Sequence, residues 1–192
     1  MLFFRLPPRN TMDEHLHAKL RKVQLLAMDA DGVLTDGRAF YGSDGFDGVS
    51  FNVQDGSSIK WLQRYGLSTA IITGRTIGAV RRRAETLGIP HLYQGARVKM
   101  TAYEQLKADT GLSDAVICYI GDDLPDVPVM RHAGVSATVA DAPPEVAGVA
   151  DIITEAPGGE GAVRELAEML LKAQGHWETL LKRYFEDREQ ND

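Results

Sequence analysis

A single cysteine, Cys118, stands in the 192 residues, which excludes an intramolecular disulfide and any zinc site built on cysteines. No apolar run approaches the roughly 20 residues needed to span a bilayer, so a membrane-embedded chain is excluded and no membrane partner is expected. Met1 to Leu6 is too short for the apolar region of a secretory signal, and Pro7-Pro8 follows without a small-residue cleavage pattern; Met12 is a second possible start. With the lone thiol in an apolar run, this predicts a reducing cytoplasm. Cations are also short, 21 Lys and Arg against 27 Asp and Glu, and the net charge of −6 argues against nucleic-acid binding. The exception, Arg81-Arg82-Arg83, reads as the solvated face of a helix. His15, His17, His91, His132 and His176 lack close metal-ligand spacing. No Gly-x-Ser-x-Gly elbow occurs, so Ser57-Ser58 read as a helix start rather than as nucleophiles.

What is present is the pattern of one well-buried domain. It is expected over residues 21–175, between an N-terminal extension (1–20) and a charged C-terminal tail (176–192) that frays or forms a peripheral helix. Apolar runs at Val23–Met28, Leu67–Thr73, His91–Tyr93, Ala115–Ile120, Val135–Val139 and Asp151–Ile153 predict strands. Helices are expected at Ser57–Tyr65, Thr76–Leu87, Val98–Thr110, Pro125–Ala133, Pro144–Val149 and Glu160 to about Lys172. Gly66, Gly88, Gly111 and Gly134 follow four of them as left-handed stops. The alternation predicts an α/β fold, a doubly wound, mostly parallel, Rossmann-like sheet with its site beyond the carboxyl ends of the strands. Residues 38–53 break the pattern, with Phe40-Tyr41 and Val49–Phe51 flanking a Gly- and Asp-rich centre, and predict a projecting β-hairpin.

Asp29-Ala30-Asp31-Gly32 leaves the first predicted strand with two carboxylates. Phosphoryl transfer needs in-line positioning and neutralised phosphoryl oxygens, and a carboxylate attacking a phosphate ester meets like-charge repulsion that a shared cation relieves. Asp29 as nucleophile, Asp122 as a second carboxylate and the Asp31 carbonyl suit magnesium, which takes oxygen ligands at about 2.1 Å. The Asp31 side chain, turned away, can protonate the leaving alkoxide and later deprotonate water. Thr73 and the Gly74 amide can donate to phosphoryl oxygens, Lys99 brings a cation, and Asp123 and Asp126 can orient Lys99 and metal-bound water. Alone, Asp-x-Asp-Gly is an ordinary turn. In series with strand-TGR, a later lysine and strand-GDD, it points to catalysis.

The motifs DADGVLTDG at 29–37, FNVQDG at 51–56, IITGR at 71–75, TLGIPHLYQG at 86–95, GDDLPDVPVM at 121–130 and GGEGAVRE at 158–165 resemble the haloacid dehalogenase-like phosphohydrolases. Within them the chain is similar to the 3-deoxy-D-manno-octulosonate 8-phosphate phosphatases. The resemblance implies a magnesium-dependent phosphoric monoester hydrolase acting on a small acid sugar phosphate in lipopolysaccharide biosynthesis. It also implies a homotetramer without a separate cap domain, in which hairpins meet between subunits and a neighbour's C-terminal segment helps close the site. Carried over by position, it puts the nucleophile at Asp29, the acid/base at Asp31, the other carboxylate ligand at Asp122 and the phosphate-neutralising cation at Lys99. Substrate contacts are implied at Asn52, Val53, Gln54, Asp55, Gly56, Lys60, Arg75 and Arg83, with Asp31 beside them. Gln54, Lys60 and Glu160 depart from arginines found in related sequences, each removing or weakening a bidentate cation. A phosphatase for a nine-carbon acid sugar 9-phosphate, or a non-catalytic oligomeric regulator, are the alternative readings.

Overall fold

Leu25–Met28 form β1, four fully buried residues whose side chains alternate between two cores. Leu26 and Met28 enter one, Leu25 and Ala27 the other, as a strand covered on both faces requires. The computed structural model describes residues 14–186; Met1–Leu6, Pro7-Pro8, Met12 and the end of the charged tail lie outside the described residues.

The remaining sheet strands are β4 (Ser68–Ile72), β5 (His91–Tyr93), β6 (Ile117–Ile120), β7 (Val135–Thr138) and β8 (Ile152–Ile153). They join β1 in one parallel six-stranded sheet of order β5-β4-β1-β6-β7-β8. On one face pack α1 (Glu14–Leu20), α2 (Val53–Arg64), α3 (Gly78–Leu87), α7 (Ala162–Ala173) and α8 (Trp177–Phe185). On the other pack α4 (Lys99–Thr110), α5 (Val127–Met130) and α6 (Pro144–Ala147). This is the doubly wound sheet that the alternation predicts. Strand order reverses at β1, which opens a crevice at the carboxyl end of the central strands.

Several boundaries differ from the sequence reading for local reasons. α2 begins at Val53 rather than Ser57, because the Asn52 side chain accepts the amides of Gln54 (2.7 Å) and Asp55 (3.4 Å) as an N-cap. The helix expected from Pro125 is a 3₁₀ turn, Leu124–Asp126, followed by the short α5. In the hairpin, β2 (Phe40–Tyr41) pairs with β3 (Asp47–Gly48), not with Val49–Phe51. The Phe46 ring covers Gly48, and Val49 and Phe51 turn back onto the main core. Gly134 is not a left-handed stop. A Cβ there would lie 2.6 Å from the Ala115 carbonyl oxygen, so this glycine serves a close backbone approach.

The segments outside residues 21–175 also contribute to the interior: Leu20 of α1 and Leu180 of α8 are buried in the same core as β1. The α8 helix is held by an aromatic junction. Trp61 Nε1 donates to the Tyr184 hydroxyl at 3.0 Å, the Arg164 guanidinium stacks 3.9 Å from the Trp61 ring, and Trp177 lies edge-on to Trp61 at 6.3 Å. Among the described residues no helix is long and apolar enough to cross a membrane.

Candidate active site

Met28 lies level with Ile71 on one side and Ile120 on the other, so β1, β4 and β6 release their loops at the same height. Asp29 follows β1, Thr73 follows β4, and Asp122 follows β6 after one glycine. The turn after β5 leads to Lys99 at the start of α4 and is braced by the Gln94 side chain, which accepts the Ile77 amide at 2.7 Å. A cavity of about 410 Å³ opens between these loops, lined by Asp29, Asp31, Thr73, Gly74, Arg75, Lys99, Asp122, Asp123 and Asp126 among others. Four segments distant in sequence therefore meet in one crevice, as the motif order anticipates.

Lys99 is the buried cation of the site. Its Nζ lies 2.8 Å from Asp29 Oδ1 and 2.7 Å from Asp126 Oδ1, with only 7% of the residue exposed. Burial opposes its charge, but Asp29 and Asp126 outweigh burial and hold the ammonium above its ordinary pKa. Asp126 is fully buried and saturated: Oδ1 takes Lys99 and the Tyr119 hydroxyl, while Oδ2 faces the amides of Asp122 (3.4 Å) and Asp123 (3.3 Å). Its contact with Lys99 joins the turn after β6 to the start of α4. Asp123 is exposed and caps the 3₁₀ turn through Leu124 N at 2.8 Å.

Asp29, Asp122 and Asp126 bring carboxylate oxygens within 4.8 Å of one another. One lysine cannot balance three carboxylates. Asp122 Oδ1 is buried with no hydrogen-bond partner among the described residues. Burial, then Asp29 and Asp126, push Asp122 up to about 8, and burial and Asp126 push Asp29 up to about 6 against the pull of Lys99. An oxygen-preferring divalent cation fits this donor set, because it would supply the missing positive charge and the missing partner of Asp122.

Asp31 points elsewhere. Its Oδ1 lies 2.9 Å from Arg75 Nη1, and Arg75 Nη2 donates to the Tyr41 hydroxyl of the hairpin at 3.2 Å. Two neighbouring carboxylates thus occupy different environments, one with a buried ammonium and the other with a half-exposed guanidinium at the mouth. Thr73 is buried and its hydroxyl accepts the Arg75 amide at 3.3 Å, while Gly74 is exposed beside it.

The remaining sequence candidates do not line this cavity. Asn52 caps α2; Val53, Gln54 and Lys60 are exposed on that helix. Asp55 is buried against the start of α7. Arg83 donates to the Asn52 carbonyl at 2.8 Å and crosses Gly56, where a Cβ would come within 2.3 Å of Nη2. Glu160 is exposed. Tyr119 is the site residue that the sequence reading missed. The available signal was a phenol inside the apolar run 115–120, since a buried tyrosine hydroxyl requires a partner.

A parallel doubly wound sheet with an acid cluster and a buried lysine at its carboxyl edge is the architecture of a haloacid dehalogenase-like hydrolase, and the sequence profile of that family matches residues 92–166. The chain is 44% identical over 161 residues to KdsC, the 3-deoxy-D-manno-octulosonate 8-phosphate phosphatase of Salmonella typhi, covering 84% of this chain and 86% of that protein. It is similar to the crystal structure of the phosphatase of the same name from Moraxella catarrhalis in complex with magnesium ion, phosphate ion and KDO, with a TM-score of 0.86, 41% identity, and coverage of 88% and 97% of the two chains. For the Yersinia pestis structure the TM-score is 0.84 at 42% identity, covering 86% of this chain and 89% of that one. The chain belongs to the 3-deoxy-D-manno-octulosonate 8-phosphate phosphatase family.

Proposed function

We propose that this chain hydrolyses 3-deoxy-D-manno-octulosonate 8-phosphate to the free acid sugar and inorganic phosphate, a step toward lipopolysaccharide in the cytoplasm. The observation that carries the reading is the division of labour between two nearby carboxylates: Asp29 buried against Lys99 and Asp122, Asp31 held apart on Arg75.

Asp29 attacks phosphorus and forms an aspartyl-phosphate as the sugar oxygen leaves. Asp31 gives that oxygen a proton and then takes one from the water that cleaves the acyl phosphate. Lys99 neutralises a phosphoryl oxygen, and the Thr73 hydroxyl and Gly74 amide donate to the others. Asp29 and Asp122, with the Asp31 carbonyl, would hold magnesium, which supplies the charge that offsets repulsion between carboxylate and phosphate. Arg75 keeps further donors for the sugar carboxylate, which its planar fork suits.

The phosphatase domain is proposed at residues 21–175 and the assembly as a homotetramer. Phe40, Tyr41 and Phe46 on the hairpin are 53%, 75% and 61% exposed, apolar surface that contact between subunits would cover. Asn52, Val53, Gln54, Lys60 and Arg83 lie outside the single chain's cavity, so a substrate role for them belongs to a subunit boundary, whereas Asp55 and Gly56 are buried within the chain.

The test is phosphate release from the octulosonate 8-phosphate and from a nine-carbon acid sugar 9-phosphate, each with magnesium and with chelator, using Asp29→Ala as blank. A magnesium-dependent preference in kcat/KM for the octulosonate is expected. Preference for the longer sugar would assign Gln54 and Glu160 to a different substrate, and no turnover on either would overturn the enzymatic reading.

A further inference from the structure

We propose that Asp55 is a positioning residue: its carboxylate caps α7 and, through the glycine turn before that helix, fixes the loop of Asp31 against Asp122. The proposal rests on the function above, and it takes Asp55 out of the set of substrate contacts.

The first amides of a helix have no partners within it, and an acceptor side chain at the helix start normally meets one of them. α7 opens at Gly161, with φ of 112°, which has no side chain to offer. The acceptor comes instead from α2. Asp55 is 1% exposed, and its Oδ1 accepts the Arg164 amide at 2.7 Å, in the third position of α7 and 109 residues away in sequence. The other carboxylate oxygen, Oδ2, is buried with no hydrogen-bond partner among the described residues. Burial pushes the Asp55 carboxyl above the usual carboxylate range, opposed by the Arg164 amide and the guanidinium groups of Arg83 and Arg164, and the aligned peptide dipoles of α7 favour negative charge at this end of the helix.

The turn before α7 touches the catalytic loop backbone to backbone. The Gly159 amide donates to the Val33 carbonyl at 2.9 Å, and Asp141 steadies the turn by accepting the Gly158 amide at 3.0 Å. A Cβ on Gly158 would fall 1.8 Å from the Gly32 carbonyl oxygen, and one on Gly159 2.4 Å from the Asp36 nitrogen. On the far side of the same loop, a Cβ on Gly32 would fall 2.0 Å from Asp122 Oδ2. Gly158, Gly32 and Asp122 therefore form three layers with no room between them. Close-packed interiors pass on displacement rather than absorb it, so the seat of α7 sets the separation of Asp31 and Asp122. Misplacing reacting groups by about 1 Å can cost about a hundredfold in rate.

The experiment compares Asp55→Ala with Asp55→Asn, which keeps an acceptor oxygen for the Arg164 amide. In Asp55→Ala we expect kcat at least tenfold lower, KM for the sugar phosphate within threefold of wild type, a magnesium requirement at least fivefold higher, and faster hydrogen exchange at the Arg164 amide. Asp55→Asn restores slow exchange and at least fivefold of the lost kcat. A rise in KM alone in both variants makes Asp55 a substrate contact and overturns the proposal, as does an Asp55→Ala protein with wild-type kcat and magnesium requirement. Should Asp55→Ala not fold, Asp55→Asn decides alone: slow Arg164 exchange with kcat tenfold down overturns the proposal, and slow exchange with kcat within threefold supports it. A wild-type chain inactive on the octulosonate would defeat the proposed function, while magnesium affinity by calorimetry and Arg164 exchange would still decide the role of Asp55.

Discussion

Arg75 Nη1 lies 2.9 Å from Asp31 Oδ1 while its Nη2 donates to the Tyr41 hydroxyl at 3.2 Å, so one guanidinium joins the candidate acid/base to the hairpin. A lysine cannot reproduce two directed contacts from one planar group. Arg75→Lys is expected to lower kcat/KM at least tenfold in steady-state kinetics. Tyr41→Phe, which removes only the outer contact, should cost less than threefold.

Lys99 is the internal counter-charge of Asp29 and Asp126. Taking one partner from a buried ion pair typically costs about 3–5 kcal/mol. Lys99→Met is expected to lower kcat at least a hundredfold and to reduce the melting temperature of the chelator-treated protein. Wild-type turnover in that variant would remove Lys99 from the mechanism.

The metal-free chain should lose stability as pH rises. Asp29 near 6 and Asp122 near 8 both stand above 3.8, the ordinary value of the side chain. Between about pH 4 and 8 the folded state therefore holds protons that the unfolded state has released, and the stability this contributes is lost as pH climbs through the folded values. With chelator, the melting temperature should be lower at pH 8 than at pH 6. Magnesium, which replaces those protons, should raise it more at pH 8, and equal increments at both pH values would contradict the assignment of the cluster to a cation.

Tyr119 is buried beneath the site with its hydroxyl on Asp126. Tyr119→Phe removes one donor from a saturated carboxylate, an interaction worth roughly 1 kcal/mol. The expected result at saturating magnesium is a three- to tenfold fall in kcat with circular dichroism unchanged. A fall in kcat beyond a hundredfold would make the phenol a direct participant.

The strand ends and their polar successors were legible because a buried parallel strand is a continuous apolar run, and the first polar residues past its carboxyl end must face the crevice. Asp29, Thr73 and Asp122 were found in that way, Lys99 as the lysine closing the turn after the short strand at 91–93, and the four converge. Asp126 was read as support for Lys99 and lies 2.7 Å from it, yet its place among the three carboxylates was not foreseen. Tyr119 was hidden in an apolar run that explains itself without chemistry. The Asp55 cap was hidden by distance along the chain, and Gly134 was misread because a close approach and a left-handed turn ask for the same residue. The helix at 14–20 was not anticipated, since only Leu20 of its seven residues is buried to mark an inward face.

Both tryptophans, Trp61 and Trp177, stand at the junction of α2, α7 and α8, and Arg164, whose amide Asp55 caps, stacks on Trp61. The molecule therefore carries an optical reporter at the seat of α7 rather than at the metal cluster. Its ultraviolet emission will follow release of the C-terminal helix and disturbance of the Asp55 cap, and will be nearly blind to what enters the catalytic crevice.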